Sequence, residues 1–247
     1  MIPSRTDTYK VFSYHADHTR HMNLVSLAKF LQETAGEHAE DLGVGYSKFK
    51  QMKIAWVLYK QVVKMKCWPV WGDEIKVKTW PSAVDKLICY REFEIYNSSD
   101  QLIGQISTSW LVINLETRRP VRILKYYNFP GTDFKKVIFP DMIRTKMILE
   151  NETSSCRKYQ VQLQDIDVNN HVNNTSYINW ALNHYNPDFI MDHQLIEIEM
   201  QFQKEAFFGD EIEIKTAIIT ETIHKHIIKG GKQILFVIRF VWQRRNS

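Results

Sequence analysis

The chain of 247 residues is short of several features that would place it in a common class. It has three cysteines, Cys67, Cys89 and Cys156, an odd number with no CxxC pair. That excludes a disulfide framework or a zinc knuckle as the expected organisation, and each thiol is expected to be reduced and buried or half-buried. No run reaches the ~18 uninterrupted apolar residues of a membrane-spanning helix. The opening MIPSRTDTYK lacks the apolar stretch of a signal peptide. A cytoplasmic protein with no membrane partner is the expectation. Neither sign of charge dominates, with 32 Lys+Arg against 28 Asp+Glu. Nucleic-acid binders concentrate their basic residues in a stripe, so nucleic acid is not an expected partner. Small basic clusters remain at Arg118, Arg119 and Arg122, at Lys135 and Lys136, and at Arg244 and Arg245. They read as solvated surface or as a dock for an acidic partner. There is no Gly-rich phosphate loop, no GxSxG and no HExxH. His15, Asp17, His18 and His21 lack the paired spacing of zinc ligands, so neither metal nor cofactor is expected.

What is present is an ordinary globular composition, 44% hydrophobic and 24% charged, and an internal repeat. GDEIKVKT at 72–79 returns as GDEIEIKT at 209–216, the same at six of eight positions. Asp17, His21 and Asn23 have the mutual spacing of Asp167, His171 and Asn173, and Tyr9 and Val11 precede the first set as Tyr159 and Val161 precede the second. Two matches in the same order make a duplication the better account of both. The expected division is 1–124, a crossover at 125–155, and 156–247. The crossover region, with Pro120, Pro130, Gly131 and Pro140, reads as ordered.

The two copies share a pattern of elements. Short strands are expected at 9–14 and 159–164, each followed by a polar loop. Leu24, Leu27, Ala28, Leu31, Ala35, Ala39 and Leu42 form a stripe at helical spacing, with Asn23 as cap and Gly43 at the end. Tyr177, Ile178, Ala181, Leu182 and Tyr185 form a shorter stripe over 174–185, with Asn174 as its candidate cap and Pro187 beyond it. Strands are expected at 54–66, 73–80, 87–96 and 102–113 in the first copy, and at 195–204 and 210–220 in the second, followed by a hairpin around Gly230–Gly231 whose last strand alternates Ile234, Phe236, Ile238, Phe240 and Trp242. A helix followed by antiparallel strands makes each copy an α+β unit, the helix wrapped by its own curved sheet.

The densest chemistry lies in DIDVNNHVNNTSY, 165–177, just before the second helix. An asparagine cap accounts for part of it. Asp167, Asn169 and His171 occupy alternate positions, which in an extended segment face one side. A histidine can shuttle protons, a carboxylate can orient it, activate water or attack, and an amide can hold a water or an oxyanion. The N–H groups at the start of the following helix add partial positive charge for an oxyanion. Together these groups suit hydrolysis of an acyl derivative. Glu37 and His38, on the first helix, read as structural.

DIDVNNHVNNTSYINW resembles the DxDxNxHVNN signature of the acyl–acyl-carrier-protein thioesterases. LQETAGEHAEDLG at 31–43, WPVWGDEIKVKTW at 68–80 and NLETRRPVRI at 114–123 are also similar to that family. The resemblance implies two tandem hot-dog domains, hydrolysis of fatty acyl-ACP to free fatty acid, and acyl carrier protein bearing the acyl-4′-phosphopantetheine as partner. An acyl-CoA thioesterase of the hot-dog superfamily is the alternative. It implies Asp167, Asn169, His171 and Glu205 as catalytic residues. A cysteine that the family carries after this Glu is Ala206 here, which puts a cysteine mechanism in doubt and leaves Asp167 as either an orienting group or the nucleophile. The first copy has Thr19 opposite Asn169 and Trp68 opposite Glu205, so a single site per chain is expected. The first copy is then expected to hold the acyl chain, with Trp56, Leu58, Leu27 and Leu31, and Phe30 beside them, as candidate walls. Asn173 and Asn174 are candidate substrate contacts. A tandem pair can serve as a pseudo-dimeric monomer or associate further as a homodimer.

Overall fold

The structure, a computed structural model, describes residues 3–129, 132–147 and 155–245. Pro130 and Gly131 of the expected crossover lie outside the described residues. The chain forms two compact units, Met1–Thr145 and Lys146–Ser247.

The first unit contains β1 (Arg5–Lys10), α1 (Leu24–Asp41), α2 (Tyr46–Gln51), β2 (Ile54–Met65), β3 (Glu74–Asp85), β4 (Ile88–Asn97), β5 (Leu102–Asn114), β6 (Pro120–Val121) and α3 (Pro140–Arg144). The second contains β7 (Ser155–Gln160), α4 (Asn174–Leu182), α5 (Pro187–Asp192), β8 (His193–Phe202), β9 (Glu211–Ile218), β10 (Ile223–Gly230) and β11 (Gln233–Arg244). Strand order in the first unit is β1-β3-β4-β5-β2, all antiparallel. In the second it is β7-β9-β10-β11-β8. The orders correspond strand for strand, with the repeated octapeptide running into β3 and β9, so the duplication seen in the sequence is a duplication of topology.

Helix α1 forms as the periodicity predicts. Leu24, Leu27, Phe30, Leu31, Ala35 and Ala39 recur every three or four residues, and all are buried. Asn23 accepts from Ser26 N at 2.8 Å, and Gly43 leaves the helix at φ 69°. The strands alternate. Val63, Ile75, Val77, Phe93, Ile95 and Ile106, on the face toward α1, are at most 1% exposed. The other face is covered by the crossover: Val137 and Ile143 pack on Val62, Ala83 and Tyr90. Buried Glu92 accepts from Ser82 Oγ, Ser107 Oγ and Ile138 N, and Lys60 Nζ donates to the carbonyls of Met142 and Thr145 at the end of α3. Residues 132–145 of the crossover therefore pack with the first sheet.

In the second unit a cluster of rings lies against β10 and β11. Tyr185 OH meets His226 Nε2 at 2.9 Å and His224 Nδ1 at 3.0 Å, and accepts from Trp242 Nε1 at 3.3 Å. His226 Nδ1 lies 2.9 Å from Thr216 Oγ1. Burial holds the His226 imidazole down at about 3, with help from the neighbouring His184 and His224.

Several sequence expectations need correction. The edge strands β1 and β7 run earlier than expected, over Arg5–Lys10 and Ser155–Gln160, and share only Tyr9–Lys10 and Tyr159–Gln160 with the expected stretches. Val11 and Val161 are not edge-strand residues. Each is buried and bonded to the loop carrying the repeated Gly-Asp, through Val11 N to Asp73 O and Val161 N to Asp210 O. The chain then turns through single 3-10 turns at Ser13–His15 and Leu163–Asp165. Helix α4 stops at Leu182, and Pro187 opens α5 rather than only ending a helix. Cys67 and Cys156 are exposed; of the three thiols only Cys89 is buried.

Candidate active site

Asp167, Asn169 and His171 do converge, but through a tight turn and not through alternation along a strand. Asp167 N donates to His171 O at 2.8 Å and Asn170 N to Asp167 O at 3.1 Å. Ile166 and Val172 form a β-bridge across the base. Asn170 takes the left-handed conformation, φ 62°, which asparagine tolerates better than most residues. The cause is the Asp167 carboxylate. Its Oδ1 accepts from Asn169 N at 2.8 Å and from His171 N at 3.3 Å, a local bond pattern that competes with an extended backbone. Its Oδ2 has the longer contact to Asn169 Nδ2, 3.4 Å. Asn169 is exposed, and Asp167 and His171 are half-buried.

Glu205 reaches the same place from the loop after β8. That loop is pinned at several points: Gln203 N to Leu235 O at 2.8 Å, Phe207 N to Asp210 Oδ2 at 2.9 Å and Val172 N to Ala206 O at 2.9 Å. The last bond ties the Glu205 loop directly to the His171 turn. Glu205 Oε1 lies 3.6 Å from His171 Nδ1, an ion pair when the imidazole is protonated. Phe207 packs edge-on against the His171 ring, centroids 5.2 Å apart. The sequence reading did not single out Phe207; its signal was an exposed Phe-Phe pair ahead of the second Gly-Asp. Ala206 is fully buried and, as an alanine, supplies no thiol at the position after Glu205.

The first copy builds the same turn. Asp17 N bonds to His21 O, Arg20 N to Asp17 O, and Met22 N to Pro69 O, and Arg20 has φ 67°. There Thr19 satisfies Asp17 Oδ1 through both its N and its Oγ1, and its Oγ1 lies 3.0 Å from His21 Nδ1. Trp68 stands where Glu205 does, and is buried. The turn is thus a property of the fold, and the amide and carboxylate are additions of the second copy.

The helix cap expected at Asn174 is Asn173. Its side chain accepts from Thr175 N at 2.9 Å and Thr175 Oγ1 at 2.7 Å, as Asn23 caps α1, while Asn174 is the first helical residue. The reason is spacing: Asn173 is the extended residue, bonded through its N to Asp165 O, and so ends the loop. Of the candidate acyl-chain residues, Leu27, Leu31 and Leu58 are buried in the first unit, with Phe30 beside them. Trp56 is half-buried, donates Nε1 to Val44 O at 2.8 Å and stacks on Phe49. Structural His38 is buried and accepts from Arg91, with its imidazole held down at about 4 by burial and by the Arg91 charge.

Two family models match this chain, the acyl-ACP thioesterase N-terminal domain over residues 4–128 and the C-terminal domain over 149–244. The chain belongs to the acyl-ACP thioesterase family. Among its relatives, a chloroplastic acyl-[acyl-carrier-protein] hydrolase of Cuphea viscosissima is 26% identical over 85% of this chain and 54% of its own length. A chloroplastic oleoyl-acyl carrier protein thioesterase of Coriandrum sativum is 24% identical over 87% of this chain and 62% of its own. The chain thus spans between half and two thirds of those relatives. The crystal structure of an acyl-ACP thioesterase from Bacteroides thetaiotaomicron superposes with TM-score 0.83 at 22% identity, covering 97% of this chain and 98% of that one. The 12:0-ACP thioesterase of Umbellularia californica gives 0.82 at 18% identity, covering 98% of each. These likenesses establish the tandem hot-dog α+β fold of the family.

Proposed function

We propose that this chain hydrolyses the thioester of a fatty acyl group carried on the 4′-phosphopantetheine of acyl carrier protein, releasing free fatty acid and the carrier thiol. The observation that carries the reading is the His171–Glu205 pair, 3.6 Å apart, on two loops stitched together by the Val172–Ala206 backbone bond. It occurs only in the copy that also has Asn169. Membership of the family supports the same reading.

Water attacks the acyl carbon, its proton passes to the Glu205–His171 pair, and that proton leaves on the pantetheine sulfur as the C–S bond breaks. Asn169, exposed at the turn, holds the water or polarises the carbonyl. Asp167 acts as the orienting group, because its Oδ1 is already committed to two backbone N–H groups. The start of α4 supplies partial positive charge for the oxyanion. With Ala206 in place of a thiol, water is the nucleophile.

An acyl-CoA substrate is the second reading. Free-thiol release should be followed from one acyl group on acyl carrier protein and on CoA, across a panel of chain lengths, with wild type, His171→Ala and Glu205→Gln. Loss of about 100-fold or more in turnover for both variants is expected, with the carrier protein preferred. Full turnover by Glu205→Gln would remove Glu205 from the mechanism, and preference for CoA would replace the proposed carrier.

A further inference from the structure

The interior of the first unit contains a row of polar side chains that its fold does not require. Arg91 on β4 pairs with Thr108 on β5, and Thr108 with Gln61 on β2. Directly paired residues on antiparallel strands share a face. That face is the one toward α1, because Arg91 Nη1 donates to His38 Nδ1 on the helix at 3.0 Å, and to Thr79 Oγ1 at 3.1 Å. Lys60 and Val62, on either side of Gln61, point the opposite way, into the crossover. On both sides of the row the same face is apolar: Cys89, Val112 and Trp110 toward one end, and Phe93, Ile106 and Val63 toward the other.

The row is rich in donors and poor in acceptors. Gln61 is 6% exposed, and its Nε2 is closed off from solvent with no hydrogen-bond partner. Arg91 is bonded to a histidine and a threonine and to no carboxylate among the described residues. It lies half-buried on a central strand beneath a helix. A buried donor without an acceptor is uncommon and asks for an explanation. The second unit shows that the architecture manages without it. Counting register from the repeated octapeptide, His224 stands in place of Arg91, Phe240 of Thr108 and Ile198 of Gln61. Those three are buried, and the apolar pair needs no partner.

We infer that Gln61 and Arg91 form a recognition site inside the first unit for an acyl chain bearing an oxygen acceptor, a hydroxyl or oxo group away from the thioester. This deepens the thioesterase reading and rests on it, since it assigns the first unit's interior to the acyl chain. Chain methylenes contact the apolar ends of the face, among them Trp110, and the oxygen accepts from the Gln61 amide and the Arg91 guanidinium. A site built to bond such an oxygen discriminates against the chain that lacks it, because the protein donors are then left unpaired.

The test compares unsubstituted, mid-chain hydroxy and mid-chain oxo acyl groups of equal length on acyl carrier protein, by kcat/KM, in wild type, Gln61→Leu and Arg91→Met. Wild type is expected to favour the oxygenated chains by about tenfold or more, and each variant to lose that ratio. Gln61→Leu removes an unpartnered group and keeps its volume, so it serves even where Arg91→Met fails to fold. In parallel, binding of the free hydroxy and unsubstituted fatty acids to wild type and Gln61→Leu is read by isothermal titration calorimetry. If no thioester is cleaved, the thioesterase reading falls, and the binding arm still decides the recognition site. Equal handling of oxygenated and plain chains by wild type, or an unchanged ratio in Gln61→Leu, overturns the inference.

Discussion

Two buried histidines make the stability of this protein depend steeply on acid. In an unfolded chain an imidazole titrates near 6.5. Burial holds His38 at about 4 and His226 at about 3. Arg91 presses His38 in the same direction and Asp41 opposes it; His184 and His224 press on His226. A base whose folded pKa lies below its unfolded value binds fewer protons when folded. Its stabilising contribution is complete above pH 6.5 and is lost as the pH falls. At 1.36 kcal/mol per unit, each histidine removes about 2 kcal/mol between neutrality and pH 5. The loss continues until the pH reaches the folded value, near 4 for His38 and near 3 for His226. Burial raises the carboxyl of Glu92, which works the other way as it protonates in the folded state, so the wild-type slope alone is not the measurement. Urea unfolding at pH 7.5 and pH 5 should be compared for wild type, His38→Gln and His226→Gln. Each variant is expected to narrow the difference between the two pH values by about 2 kcal/mol. A difference as large in both variants as in wild type would refute the assignment of the acid sensitivity to these two rings.

Three further outcomes follow from the geometry. Asn173→Ala removes the acceptor for Thr175 N and Thr175 Oγ1 and should cost about 1 kcal/mol in thermal or urea unfolding. Leu27→Ala, at a site with no exposure, should cost about 2–5 kcal/mol by the same measurement. A thiol reagent should label Cys67 and Cys156 in the native protein and Cys89 only after unfolding. Thioester hydrolysis should survive the native labelling, and its complete loss would point to a cysteine in the chemistry.

The duplication was legible because GDEIKVKT and GDEIEIKT lead into equivalent strands, and α1 ends within one residue of its predicted boundary because its apolar stripe and asparagine cap agree. The grouping of Asp167, Asn169 and His171 was legible as a cluster but not as a shape. Alternate positions meet equally well in a tight turn, and what decides is the Asp167 carboxylate bonding to its own backbone. Val11 and Val161 look like strand residues in sequence, and only their bonds to Asp73 and Asp210 show that they plug the loop. The allegiance of residues 132–145 was not legible at all, since it rests on contacts with Val62, Tyr90, Ser82 and Ser107 far away in sequence.

That allegiance has a practical consequence for anyone dividing the chain. A truncation after residue 124 would keep every strand of the first sheet and still strip Val137 and Ile143 from Val62, Ala83 and Tyr90. It would also leave Lys60 without its carbonyls and Glu92 without the Ile138 N–H. The fragment would carry a bare apolar face, a recipe for aggregation. A cut at Thr145 keeps that face covered, so the sheet and its cover travel as one piece.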